Sequence, residues 1–402
     1  PTCMTCAWSP FPFPGGNGPR DLSLLEIDLP LFCPMEAAME TKVKRKIHWG
    51  LAAALFLPIL LIGLFYLLSP LPRVMDRWVF GVMAPVEQFL GRMWSIFPFS
   101  VAEVLVVLVL TGSVAWLVRA IVLAVRRREL SPLLRRLLAL AAVWLWVLAA
   151  LFWFWNAAYQ ASSFTRRSGL EVAPYSVEAL AAVTEYFAQN AARLSSQVDR
   201  DSEGRFAVPR DYYFHKGTQV YEGLIQEFPC LDIPPVRAKP LLFSRLQSIL
   251  GFTGVYFPFT GEANVNVDCP ACLIPETIAH EMAHQRMVAS ELEANFVGIA
   301  ACVTCGDTVF QCSGYLAGLI QLCNALYPVA PDLWDEIAGR WFTLELATDW
   351  NENNAYWAAL ESPIEDAAGQ AYDAFLKGNG QELGMRSYGA CVDLLVSYFG
   401  RK

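Results

Sequence analysis

Three apolar runs, each long enough to cross a bilayer, dictate what this chain can become. Ile47 to Leu68 contains no Asp, Glu, Lys or Arg. A hydrocarbon core about 30 Å thick needs roughly 20 such residues. Pro58 within the run is tolerable where neighbouring helices satisfy the backbone. Val101 to Val125 is a second run, with Glu103 near one end and Arg119 close enough to the other to snorkel. Leu137 to Ala158 is a third and ends among Trp153, Phe154, Trp155 and Tyr159, a belt suited to the membrane interface. Lipid offers the backbone no hydrogen bonds, so each run is expected to be a helix.

The rest of the composition agrees. Hydrophobic residues make up 55% of the 402 and charged residues 17%, against about 25% charged in ordinary soluble domains. A disordered or collagen-like chain is excluded, and a purely soluble one is disfavoured. Up to residue 160 there are 14 Lys and Arg against 9 Asp and Glu; beyond it, 16 against 29. The half that carries the polar chemistry is therefore acidic, which argues against nucleic acid as a partner.

Basic residues set the direction. Lys42, Lys44, Arg45 and Lys46 precede the first run, and Arg126, Arg127, Arg128, Arg135 and Arg136 separate the second from the third. Both groups are expected on the cytoplasmic side. The first run is too long for a signal peptide, and no small-residue cleavage site precedes Ser69, so a retained anchor is expected. Residues 1–38, rich in Pro, Gly and Cys, read as a disordered leader or upstream translated sequence. Residues 39–160 read as a membrane domain with spans at 47–68, 101–125 and 137–158. Residues 161–402 then lie outside the cytoplasm.

That outer part reads as mostly helical. Helices are expected at 176–194, 239–250, 291–303, 313–327, 332–348, 363–377 and 386–399. Gly251 to Asp268 alternates apolar and polar residues and reads as extended. Pro275 and Glu276 open another helix, at positions that suit a proline and an acid.

On this helix lies His280-Glu281-Met282-Ala283-His284. Histidines at i and i+4 project from one face, a turn apart, and fit two ligands of a tetrahedral Zn2+. Glu281 between them suits the general base that activates a water. A third ligand is expected from Ser290-Glu291-Leu292-Glu293-Ala294-Asn295, where either Glu291 or Glu293 fits. Ser290 and Glu293 also match a capping box, which favours Glu291 as the ligand. Asn295, one turn after Glu291, suits support of a ligand. The six residues between His284 and Glu291 must turn the chain without a glycine. Tyr315 and His215 are candidates by type for stabilising an oxyanion. The strand around Val265 is a candidate edge for pairing with an extended peptide.

Eight cysteines follow residue 160, including Cys269-Pro-Ala-Cys272 and Cys302-Val-Thr-Cys305. Outside the cytoplasm, disulfides are the leading expectation.

The run Gly254-Val255-Tyr256-Phe257-Pro258-Phe259-Thr260-Gly261-Glu262-Ala263-Asn264-Val265-Asn266, the HEMAHQ and ELEANF segments and Ser313-Gly314-Tyr315-Leu316 together resemble domain-of-unknown-function family 3810. These are bacterial multi-pass membrane proteins with a zincin-like motif. The ELEAN segment also resembles the ExxAN element of gluzincin-like peptidases, which implies Glu291 as zinc ligand and Asn295 as the support of a ligand histidine. The resemblance implies a mainly α protein of the bacterial plasma membrane, with three N-terminal transmembrane helices and a zincin-like extracytoplasmic domain. Its partners would be the lipid bilayer and a peptide or protein substrate, and its cofactor Zn2+. The alternative expectation is a catalytically silent zincin fold that binds a partner or senses the envelope.

Overall fold

The computed structural model describes residues 49–381 and 391–401. The leader, the first basic group and part of the last expected helix lie outside them. The described chain is mainly helical. Its first helices are α1 (Trp49–Leu68), α2 (Pro72–Trp78), α3 (Ala84–Trp94), α4 (Val101–Arg127) and α5 (Ser131–Leu151). Short helices α6 (Ala157–Gln160) and α7 (Phe164–Ser168) lead to α8 (Val177–Ser195), α9 (Arg210–Lys216) and α10 (Leu224–Glu227). Strand β1 (Lys239–Pro240), α11 (Ser244–Ile249), β2 (Gly254–Phe257) and β3 (Glu262–Val265) precede α12 (Ile274–Gln285) and α13 (Glu291–Thr304). The chain ends with α14 (Thr308–Leu326), α15 (Pro331–Trp341), α16 (Leu344–Ala358), α17 (Pro363–Gly378) and α18 (Val392–Phe399).

α1, α4 and the α5–α6 segment are long and apolar enough to cross a membrane, and their most apolar stretches are only 11% buried. Side chains such as Phe56, Leu60, Val114 and Val143 stand exposed around them, a continuous apolar surface that water would not tolerate. α14 passes the same length and hydropathy test, but 67% of its apolar stretch is buried. It packs on α8 and α13 as a core helix of the part after residue 160.

Two carboxylates tie the long helices to the part after residue 160. The first N–H groups of a helix have no partner within it. On α4, Glu262 of β3 accepts from Val101 N (3.3 Å) and Ala102 N (2.8 Å), and Ser100 Oγ accepts from Glu103 N. Glu103 in turn accepts from the N–H groups of Leu242 (2.6 Å) and Phe243 (2.9 Å), just ahead of α11. Lys239 Nζ lies 2.5 Å from Glu262 Oε1 and also donates to Trp94 O, so the buried carboxylate has a buried counter-ion. The far end of α4 carries Arg126 and Arg127 and closes with Arg128 in the left-handed region (φ 52°). At 1.5 Å per residue, that end is about 40 Å away.

A π-turn over Phe152–Asn156 continues α5. The extra residue in this turn rotates the face that follows it. Trp153 thereby reaches Leu61 O of α1, and Trp155 is aimed at the outer part.

The sheet has the order β1-β3-β2, with β1 parallel and β2 antiparallel to β3. β3, which contains Val265, is thus the central strand, and all four of its residues are buried. The edge expected there belongs to β2 instead. The reason is that Lys239 and Pro240, expected to start a helix, pair with Asn264 and Val265. The expected helix over 332–348 is broken into α15 and α16, because Thr343 caps a new start with its side chain on Leu346 N.

The turn between α12 and α13 is made by Met287, a non-glycine residue at φ 57°. Such a conformation is costly for a side chain. Met287 is held there by burial with Met75, Val79 and Met83 of the segment after α1, and by Arg167, which donates to the carbonyls of Arg286 and Met287. Ser290 is the residue before α13 but makes no side-chain cap. Glu293 does cap a helix, though not its own: it accepts from Phe164 N, Thr165 N and Thr165 Oγ1 at the start of α7.

The expected disulfides do not form among the described residues. None of the eight cysteines after residue 160 is bridged to another described cysteine, and every one but Cys230 is buried. Cys272, Cys302, Cys312 and Cys391 lie in the main apolar core with Phe187, Ile278 and Phe296.

Candidate metal centre

α12 places the imidazoles of His280 and His284 one turn apart, with ring centroids 5.0 Å from each other. α13 returns beside α12, and the approach is close because residue 298 is glycine: a Cβ there would stand 3.0 Å from the His280 backbone. The first residue of α13 is Glu291. Its Oε2 lies 3.3 Å from His280 Nε2 and its Oε1 3.7 Å from His284 Nε2. All three ligand atoms lie within 4.8 Å of one another, the one such grouping found among the described residues. Two donors on a tetrahedral zinc are about 3.4 Å apart, so the spacing fits that ion.

The protein orders these donors in advance. His284 Nδ1 lies 2.8 Å from Val288 O, which leaves Nε2 to face Glu291. Tyr372 of α17 donates its hydroxyl to Glu291 Oε1. Trp155 packs edge-on to His284 at 5.6 Å, and the Tyr256 ring lies 6.4 Å away. His284 and Glu291 are closed off, while the His280 side chain keeps 11% of its surface open.

The charges are strongly coupled. Burial would raise the Glu291 carboxyl, but the two histidines pull it down to about 2. Burial would lower His280, but hydrogen bonding and attraction to Glu291 lift it to about 9. His284, deeper in the protein, is lowered by burial to about 4. Burial pushes Glu281 up to about 8. Its Oε2 is buried with no partner. β2 passes directly over this carboxylate, and only glycine fits at 254, where a Cβ would come 2.4 Å from Glu281 Oε1.

Glu281, His280, His284 and Glu291 are thus brought together, and other candidates are not. Glu293 serves α7. Tyr315 lies in the α8–α14 core with its hydroxyl 3.0 Å from that of Tyr186. His215 is exposed near the end of α9. Asn295 is buried on α13, with its Nδ2 unpartnered; the Nδ1 contact of His284 goes to Val288. Sequence reasoning missed Tyr372, Tyr256 and Glu87. Tyr256 donates to Glu87 of α3, whose carboxyl burial raises well above the usual range. No spacing links these residues to the motif. Trp155 was visible only as part of an aromatic belt.

The family model described as "Protein of unknown function (DUF3810)" matches residues 79–396. The chain belongs to the DUF3810 family. The match takes in α4, α5 and the whole cluster just described, so in this DUF3810 protein these two long apolar helices and the HExxH helix fall within one family unit, and α1 precedes it. No curated protein and no solved structure matches the chain.

Proposed function

We propose that this protein is a membrane-anchored zinc metallopeptidase that cuts peptide bonds outside the cytoplasm. The observation that carries the reading is the convergence of His280, His284 and Glu291 beside an unpartnered Glu281 carboxylate, beneath the edge of a sheet. In this reading α1, α4 and α5 are the three spans. The Arg126–Arg128 turn faces the cytoplasm, and Glu262 at the other end of α4 marks the opposite side. The outer part is then a zincin-like domain of residues 161–402.

His280, His284 and Glu291 are the residues that would hold the ion. Bound there, zinc supplies a Lewis acid and lowers the pKa of a water toward about 7. Beside the positive charge of a bound ion Glu281 would be ionised, and its Oε2 would accept the proton of the attacking water and later deliver it to the leaving nitrogen. The carboxylate is aimed by burial and by the Tyr256 backbone N–H. The pairing of Asn266 N with Thr253 O sets the alternation along β2. It leaves the Gly254 backbone groups and the Tyr256 carbonyl on the free edge, where an extended peptide can pair, the Tyr256 N–H being taken by Glu281. Tyr372 holds Glu291 in place.

The purified full-length protein should contain about one zinc per chain. Chelation should abolish cleavage of test peptides, and zinc, not magnesium, should restore it; a metal-free protein with full activity would end the proposal. Without metal, His280 is protonated below about pH 9. Zinc must displace that proton, so affinity should rise about tenfold per pH unit from pH 6 to 8. Competition with a chelator at three pH values measures the slope. Tyr372→Phe removes the hydrogen bond that supports Glu291 and should weaken zinc binding about 10–100-fold, by the same competition assay.

A further inference from the structure

α11 is built inside out. Ser244 and Ser248, one turn apart, are buried. Ser244 Oγ accepts from Val267 N, and Ser248 Oγ accepts from Asn266 Nδ2. Leu246 between them is 52% exposed, and Leu242 and Phe243 just ahead are 58% and 49% exposed. A helix in water turns its leucines in and its serines out. The segment that leads into α4 shows the same face. Ile96 is 76% exposed, and the exposed Phe97 ring lies 5.5 Å from that of Phe99. Lys239 Nζ donates to Trp94 O, and Glu103 accepts from the N–H groups of Leu242 and Phe243. Both stretches therefore gather around the start of α4.

Clustered apolar side chains of this size call for a partner, and their height along α4 says which. Counting about 20 residues, or about 30 Å, back from Arg126 puts one face of the hydrocarbon near Val106. Glu103 then lies about 4.5 Å beyond that face, within a headgroup layer about 5–8 Å deep on each side. Counting from Arg119 instead only sinks Glu103 deeper. Leu242 N and Phe243 N are 2.6 and 2.9 Å from the Glu103 carboxylate, so these two residues share its level. From Val104 on, α4 itself presents exposed apolar side chains, including Val106, Val107 and Leu108. The patch is thus continuous with a surface that lipid covers. Arg245 of α11 keeps a charge at this boundary, paired with Asp268 at 3.2 Å. Interfacial helices have this composition, with apolar side chains toward the acyl boundary and charges toward water. The patch adjoins β1, at the sheet edge opposite β2, so it and the free β2 edge use different sides of the sheet.

We infer that α11 with Leu242 and Phe243, together with Ile96–Phe99, forms a lipid-binding surface seated in the headgroup layer beside the start of α4, in addition to the long apolar helices. The inference stands apart from the peptidase reading, since it uses none of the residues of the metal cluster. The test uses the full-length protein in phosphatidylcholine nanodiscs. It carries the photoreactive residue p-benzoylphenylalanine in place of Phe243 and, in a second protein, in place of Leu246, so that one misfolded variant does not decide the outcome. The same residue in place of Val114, on the exposed face of α4, reports full contact with lipid. In place of Glu203, in the charged turn with Asp201 and Arg205, it reports contact with water. After irradiation, intact mass reads the lipid adducts. Adducts at positions 243 and 246 should come within about twofold of those at 114 and exceed those at 203 at least about tenfold. Adducts at both positions no higher than at 203 would overturn the inference. So would covalent protein dimers formed through them in place of lipid adducts, because the patch would then join two copies of the chain.

Discussion

Glu281→Gln should lower peptide hydrolysis by about 10²–10⁴-fold, the usual contribution of a positioned general base, while zinc content stays unchanged. Glu281 is not among the three grouped donors, so its loss leaves the ligand set intact. Stability should not fall with activity. Without metal, Glu281 is buried with its carboxyl pushed up to about 8, so the metal-free folded protein carries it largely neutral at pH 7. An amide of the same shape replaces a neutral acid at little cost. The sign follows from linkage: a carboxyl raised on folding destabilises the fold where the unfolded chain is ionised, above about pH 4.5. Gln removes that effect, so the melting temperature of the metal-free protein at pH 8 should hold or rise. Kinetics, metal analysis and thermal melts on one preparation check all three. A variant as active as the parent would remove Glu281 from the chemistry.

Glu262→Ala should be the most damaging single change outside the cluster. It strands Lys239, whose side chain is only 5% exposed, and strips the acceptor from Val101 N and Ala102 N. Breaking a buried pair by removing one partner costs about 3–5 kcal/mol, a drop of roughly 10 °C for a domain of this size. Replacing both charges, with Glu262→Gln and Lys239→Met, should recover part of the loss, because the isolated charge is then gone. Melts in detergent measure both. If the double variant is no better than Glu262→Ala, the uncompensated lysine is not the cause.

How much of this was legible in the sequence depended on range. The long apolar helices and the helix bearing His280 and His284 are encoded by local spacing, so both could be read directly. The turn before Glu291 could not: no glycine marks it, because Met287 takes the left-handed conformation with help from Met75 and Arg167, far away in the chain. Glu293 matched a local capping box, yet its partners lie about 130 residues earlier, at Phe164 and Thr165. β3 read as an edge because its neighbour β1 is only Lys239–Pro240, too short to show a period. Tyr372 has no local signature at all. α14 shows the limit of a hydropathy threshold alone: with a mean hydropathy of 1.2, against 2.3 to 2.6 for the three exposed helices, it is long and apolar enough to cross a membrane, yet 67% of that stretch is buried in the protein.

The crossed carboxylates have a geometric consequence. Glu262 grips the start of α4, and Glu103 on α4 grips the approach to α11, so the cleft cannot rise from or sink toward the lipid without breaking four hydrogen bonds. The arrangement works as a depth gauge. In the proposed peptidase, bonds presented at one fixed height above the bilayer would come within reach of Glu281, and bonds held nearer or farther would not, whatever their neighbouring residues.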